Sequence, residues 1–127
     1  MKLLLDTHTL IWFLDGNEKM TQVARSHIED ADNKNFISIA SIWEMAIKIS
    51  LNKLQMKTPF KKLYDYISEN GFEILPLEFE HALQVSILEF HHRDPFDRII
   101  ISQAIAENIS IVSGDKQFDA YPIKRVW

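Results

Sequence analysis

Short apolar runs alternate along this chain with longer stretches whose apolar residues recur every three or four positions. The first run, Leu3-Leu4-Leu5 after Lys2, stops at Asp6. It suits a strand covered on both faces, at the centre of a parallel sheet. Helical spacing follows from Thr7 to Leu14, and Asp15-Gly16-Asn17 breaks it. A second helix is predicted from Thr21, a good cap, to Ala31. After the turn Asp32-Asn33-Lys34-Asn35, Phe36-Ile37-Ser38-Ile39 reads as a strand. Ser41 then caps a helix over Ile42–Leu51, whose buried stripe is Ile42, Met45, Ala46 and Ile49. Glu44 and Lys48 fall off that stripe, one turn apart.

Thr58-Pro59-Phe60 opens another helix, with threonine as cap and proline in the first turn; it runs through Leu63, Tyr64 and Ile67 to a stop at Asn70-Gly71. Phe72-Glu73-Ile74-Leu75 is a short strand limited by Pro76. Glu78 to Phe90 is helical by the period of Phe79, Ala82, Leu83, Ile87 and Phe90. A helix from Pro95 to about Asn108 leads into the strand Ile109–Val112, and Ile123–Trp127 forms one more strand at an edge. Strands alternating with helices predict an α/β fold, a parallel sheet with helices on both faces. Right-handed crossovers place every strand exit on one rim, where open α/β sheets bind their ligands.

A length of 127 residues leaves room for one domain and no second core. The formal net charge of -4 argues against a protein that coats nucleic acid non-specifically, though not against a local basic groove. Without cysteine there is no disulfide framework and no thiolate chemistry. No apolar run is long enough to span a bilayer and no leader pattern precedes the first strand, so the expectation is a cytoplasmic protein.

Four acids stand where a strand ends or a helix begins: Asp6, Glu44, Asp97 and Asp115. Each also has a plainer role. Asp6 suits a helix cap. Glu44 suits an exposed acid paired with Lys48. Asp94-Pro95-Phe96-Asp97 suits a cap with proline at the first position, and Asp115 a turn after Gly114. The case for chemistry comes from the four together. Two like charges ~4 Å apart repel by about 4 kcal/mol at an effective dielectric of 20. Carboxylates crowded at one mouth therefore stay partly protonated or share a hard cation. An oxygen-rich site without sulfur favours Mg²⁺ or Mn²⁺, ions suited to phosphodiester hydrolysis. Thr7 and Ser113 adjoin two of the acids, and Lys48, Arg93, Arg98 and Lys116 are candidate phosphate contacts. His8, His91 and His92 match no zinc spacing. Trp12, Trp43 and Phe96 read as core or interface, with base stacking the lesser alternative.

Leu3-Leu4-Leu5-Asp6-Thr7-His8-Thr9-Leu10-Ile11-Trp12, Ser41-Ile42-Trp43-Glu44-Met45-Ala46, Arg93-Asp94-Pro95-Phe96-Asp97-Arg98 and Val112-Ser113-Gly114-Asp115 resemble the PIN domain. They resemble above all the compact VapC-like toxins of bacterial toxin–antitoxin pairs. The resemblance spans nearly the whole chain, in order. It implies a three-layer α/β/α sandwich with a central, mostly parallel sheet. It implies a Mg²⁺- or Mn²⁺-dependent endoribonuclease whose acidic quartet, catalytic and metal-holding, falls on Asp6, Glu44, Asp97 and Asp115. It also implies a homodimer and a small antitoxin partner. Ser113 stands where the family often has threonine.

Two rivals share acids around Mg²⁺ on an α/β sheet. A receiver-like phospho-acceptor module expects paired acids after the first strand, where Leu5-Asp6-Thr7 supplies one. A phosphatase with an aspartyl nucleophile expects a second acid two residues after the first, where Thr9 stands.

Overall fold

A computed structural model describes residues 1–127. Five strands form one sheet: β1 (Lys2–Leu5), β2 (Lys34–Ser38), β3 (Glu73–Leu75), β4 (Ser110–Val112) and β5 (Arg125–Val126). Their spatial order is β3-β2-β1-β4-β5 and every pairing is parallel. β1 lies at the centre, with Leu3, Leu4 and Leu5 fully buried. Burial of each such leucine contributes about 1.5–3 kcal/mol, so this run anchors the sheet.

The strand period of two divides the core. Leu3 and Leu5 face a cluster with Leu10, Ile11, Ala24, Ile28, Met45 and Leu63. These come from α1 (Thr7–Asp15), α2 (Gln22–Glu29), α3 (Ile39–Ser50) and α4 (Leu63–Glu69). Leu4 faces the opposite cluster, with Ile100, Ile101, Ala104, Ile111 and Phe118. There α6 (Pro95–Glu107) packs, with α5 (Phe79–Ile87) against it. The result is the three-layer α/β/α arrangement. No helix is long and apolar enough to cross a membrane.

Several predicted boundaries move, each for a local reason. β2 ends at Ser38 because the Ser38 side chain itself caps α3, accepting from the Ala40 N–H at 3.0 Å. Ser41, the expected cap, lies inside the helix and is fully buried. Thr58 caps nothing; its hydroxyl and backbone N–H both donate to Asp15 Oδ1, at 3.2 and 3.3 Å, and a 3-10 turn over Phe60–Lys62 precedes α4. α4 does end at Asn70-Gly71, with Gly71 at φ +72°. The period of α5 identifies a helix but not its buried side: Phe79, Leu83, Ile87 and Phe90 face solvent, and His81 is the buried residue. The His81 ring accepts from the Glu78 N–H at 3.0 Å through Nδ1 and meets Glu107 through Nε2 at 2.9 Å. β5 pairs only with β4, at the sheet edge as expected.

Candidate active site

β1 has β2 on one side and β4 on the other, and the chain reaches β4 only after crossing over from β3. The order therefore reverses beside β1, the place where open parallel sheets leave a crevice outside their carboxyl ends. Asp6 follows β1 directly, and Ser113-Gly114-Asp115 follows β4. The two exits are tied: the Asp6 N–H donates to the Val112 carbonyl at 3.2 Å, as does the Thr9 hydroxyl at 3.0 Å.

Asp6 is the N-cap of α1, and its Oδ1 accepts from the Thr9 N–H at 2.7 Å. Only 7% of its surface is exposed. Burial pushes its carboxyl above the usual range, against polar contacts with Ser113 and Thr9 and the attraction of His8. Glu44 arrives from α3 and is not the exposed helix acid that the sequence also allowed; it is 4% exposed. The Thr7 hydroxyl donates to Glu44 Oε1 at 2.7 Å and stands 3.0 Å from Ser41 Oγ, while Lys48 Nζ lies 2.6 Å from Glu44 Oε2. The Lys48 ammonium is held above its ordinary pKa by that bond, and further by Glu44, Asp94 and Asp97.

Asp97 arrives from the first turn of α6. Asp94 caps that helix, its Oδ1 accepting from the Phe96 N–H at 2.7 Å and the Asp97 N–H at 3.3 Å, with Pro95 at the first position. Asp97 is pushed from 3.8 to about 6 by burial, then by the negative charges of Asp94, Asp6 and Glu44, with His92 acting the other way. Asp97 thus feels the charges of Asp6 and Glu44, and more strongly that of Asp94. Asp115 stands apart from that trio. It shares a pocket with Asp6, but its Oδ1 accepts from the Gln117 N–H at 2.9 Å and its Oδ2 meets His92 Nε2 at 2.9 Å.

Other candidates separate. Arg98 is 6% exposed. Its guanidinium donates to the carbonyls of Val85, Leu88 and Glu89 at 3.0–3.4 Å and packs 3.8 Å from the Phe90 ring centroid. It is a bracket for the loop after α5, not a free phosphate contact. Arg93 and Lys116 are exposed. Trp43 is 60% exposed, so it is no core residue; it meets Phe96 edge-on at 5.7 Å. The Asp115–His92–Tyr121 chain, completed by the 3.1 Å contact of His92 Nδ1 with the Tyr121 hydroxyl, had no local signal in the sequence.

No three His, Asp or Glu side chains stand together as a closed set of ion ligands. The donor chemistry nevertheless fits a hard cation. The donors are carboxylate oxygens, two of them belong to groups forced above their usual pKa, and Lys48 is the cation that answers them.

A family model described as the PIN domain matches residues 3–124. No curated protein matches. Among solved structures, the chain is similar to VapBC2 from Rickettsia felis, bound there to a fragment of promoter DNA, with 18% identity over 100% of both chains and a TM-score of 0.73. It is also similar to VapBC-1 from nontypeable Haemophilus influenzae, with 14% identity over 98% of this chain and 96% of that one and a TM-score of 0.68. FitAcB from Neisseria gonorrhoeae follows, with 16% identity over 97% and 95% and a TM-score of 0.62. At these identities the likeness is one of fold. The family model covers almost all of the chain, and the protein belongs to the PIN domain family.

Proposed function

We propose that this chain is a divalent-metal-dependent endoribonuclease, the toxin of a toxin–antitoxin pair. PIN domains are generally nucleases, which supports hydrolysis of a phosphodiester bond. The observation that carries the reading is the Asp97 carboxyl at the switch point of the sheet, lifted to about 6 by burial first and then by the charges of Asp94, Asp6 and Glu44. Carboxyl groups raised by burial and by neighbouring acids in a cleft are a mark of functional sites.

Asp6, Glu44 and Asp97 would hold Mg²⁺ or Mn²⁺, with Asp115 at the border of the site. When bound, the cation supplies neutralisation of the phosphate charge and a more acidic water. The chain's own groups do the rest. Thr7 and Lys48 hold Glu44 by both its oxygens, so its orientation is fixed before substrate arrives. The Thr9 N–H fixes one oxygen of Asp6, and the Ser113 hydroxyl stands against the same carboxyl. Lys48, lying among Glu44, Asp94 and Asp97, is placed to meet a substrate phosphate.

The structural neighbours are VapBC and FitAcB complexes, which supports an antitoxin partner; we assign the pair to the cytoplasm, as the family resemblance implies. An apolar groove of about 350 Å³, lined by Ile39, Ile42, Phe60, Leu63, Tyr64 and Ile74, is the surface we give it. It shares α3 with Glu44, so a peptide leaving the groove along that helix reaches the acids. The outward stripe Phe79, Leu83, Ile87 and Phe90 is given to a second copy of the chain.

The test is cleavage of a fluorophore-quencher single-stranded RNA by the purified chain with Mg²⁺, Mn²⁺ or EDTA. Cleavage that needs the metal and falls at least 100-fold in Asp6→Asn and Glu44→Gln is expected. Cleavage in EDTA, or full activity of Asp6→Asn, sinks the proposal.

A further inference from the structure

Asp6 and Asp115 also line one side of a pocket of about 520 Å³, a size that holds small organic groups. Its other side is aromatic. Trp12 projects from α1 and Trp127 follows β5; both are half-buried, with ring centroids 6.0 Å apart and planes tilted by 57°. Trp127 lies against the turn that carries Asp115, because residue 114 is glycine. A Cβ there would stand 3.1 Å from two carbons of the indole. Lys19 closes the rim, its Nζ 5.7 Å from the Trp12 ring centroid.

This wall is a poor match for the apolar side chain of a protein partner, since two carboxylates and an ammonium share the pocket with the indoles. It matches a nucleotide well. A flat base finds an indole face, and the adjoining phosphate finds a lysine. With the ring planes tilted by 57° and the centroids 6.0 Å apart, no parallel slot opens between the indoles, so a base stacks on an outer indole face.

We propose that this pocket is a nucleobase subsite. The base of the nucleotide next to the cleaved phosphodiester stacks on the Trp12–Trp127 wall, and Lys19 meets a flanking phosphate. The inference rests on the ribonuclease reading. It adds a specificity-determining surface, built by Gly114 and Trp127, that neither the acids nor their metal require.

The test crosses a protein change with an RNA change. A short single-stranded RNA is prepared intact and with one abasic nucleotide at each position in turn. Binding is read by fluorescence anisotropy in EDTA, and cleavage in Mg²⁺ or Mn²⁺. Wild type is expected to lose about tenfold in affinity at one abasic position. Trp127→Ala is expected to lose about tenfold on intact RNA and nothing further at that position, whereas Trp127→Phe keeps the abasic penalty. Lys19→Gln lowers the slope of log affinity against log salt by about one. An abasic penalty that survives in Trp127→Ala, or intact RNA bound as tightly as by wild type, overturns the subsite. If Trp127→Ala does not fold, Trp127→Leu carries the same test, because it keeps apolar bulk at the sheet edge and removes the flat face; an undiminished penalty there also overturns the subsite. The two readings fail separately. Loss of the abasic penalty in a chain that cleaves no RNA leaves the subsite and removes the nuclease, while metal-dependent cleavage with additive penalties does the reverse.

Discussion

Asp97→Asn is expected to stabilise the metal-free protein. The Asp97 carboxyl titrates at about 6 in the native chain against an ordinary value of 3.8. At neutral pH the native state must therefore hold a charge that it disfavours. At about 1.4 kcal/mol for each pH unit between the two values, the cost is at most about 3 kcal/mol. Asp97 is only half-buried, and solvent screening reduces this to roughly 1–2 kcal/mol. Asparagine removes the charge and keeps the shape. The sign follows from linkage. Above pH 6 the native carboxylate is ionised and the variant is the more stable by the full amount. As pH falls from 6 towards 3.8 the native carboxyl takes up its proton before the unfolded one, and the difference shrinks. Below 3.8 both states are protonated and the two proteins match. The assay is urea unfolding in EDTA from pH 3.5 to 8, with thermal scans beside it. At pH 7.5 a gain of roughly 3–10 °C in Tm is expected for a chain of this size. A destabilised Asp97→Asn at pH 7.5, or a gain that persists undiminished at pH 3.5, refutes the argument.

Two further outcomes follow from the same geometry. Arg98→Met should cost about 2 kcal/mol, because it strands the buried carbonyl of Leu88 and the part-buried ones of Val85 and Glu89, while the KM for RNA stays unchanged; a large rise in KM at full stability would make Arg98 a substrate contact instead. Affinity for Mg²⁺, read as the thermal shift it produces, should fall about tenfold for each pH unit below 6, since Asp97 must lose its proton to bind; an affinity constant between pH 5 and 6 removes Asp97 from the ligands.

The sheet was legible in the sequence because its central strand is an uninterrupted apolar run, and because strands alternate with helical periods. The start of α6 was legible for a local reason as well: Asp94 and Pro95 act within their own turn. What was hidden depends on residues distant in the chain. Ser38 and Ser41 both have cap chemistry, and only the packing of Thr7 against Ser41 decides between them. The period of α5 is real, yet nothing in it says that the stripe faces outward. Arg98 sits beside an acid motif and looks like a phosphate contact, but the loop after α5 folds over it. The Trp127 indole reaches the site only through the absence of a side chain at Gly114, a pairing that no local pattern encodes.

Capping and ligation are commonly weighed as alternatives for an aspartate at a helix start, and here the geometry shows why they are not. A carboxylate has two oxygens, and a cap uses one of them. Asp6 spends Oδ1 on the Thr9 N–H, which fixes the plane of the group at the end of β1 and leaves Oδ2 with no backbone partner. Asp115 also caps through Oδ1, accepting from the Gln117 N–H two residues on, but its Oδ2 is held by His92, itself anchored on Tyr121. Asp94 uses a single oxygen twice, on Phe96 and Asp97, and so aims Asp97 rather than competing with it. The acids near the rim thus differ in what they have left to offer. Asp97 carries unfavourable charge, Asp6 is shared between Thr9 and Ser113, Glu44 is held at both oxygens by Thr7 and Lys48, and Asp115 is held by Gln117 and His92. The Asp115–His92 bond therefore sets Asp115 apart from Asp6, Glu44 and Asp97 on this rim.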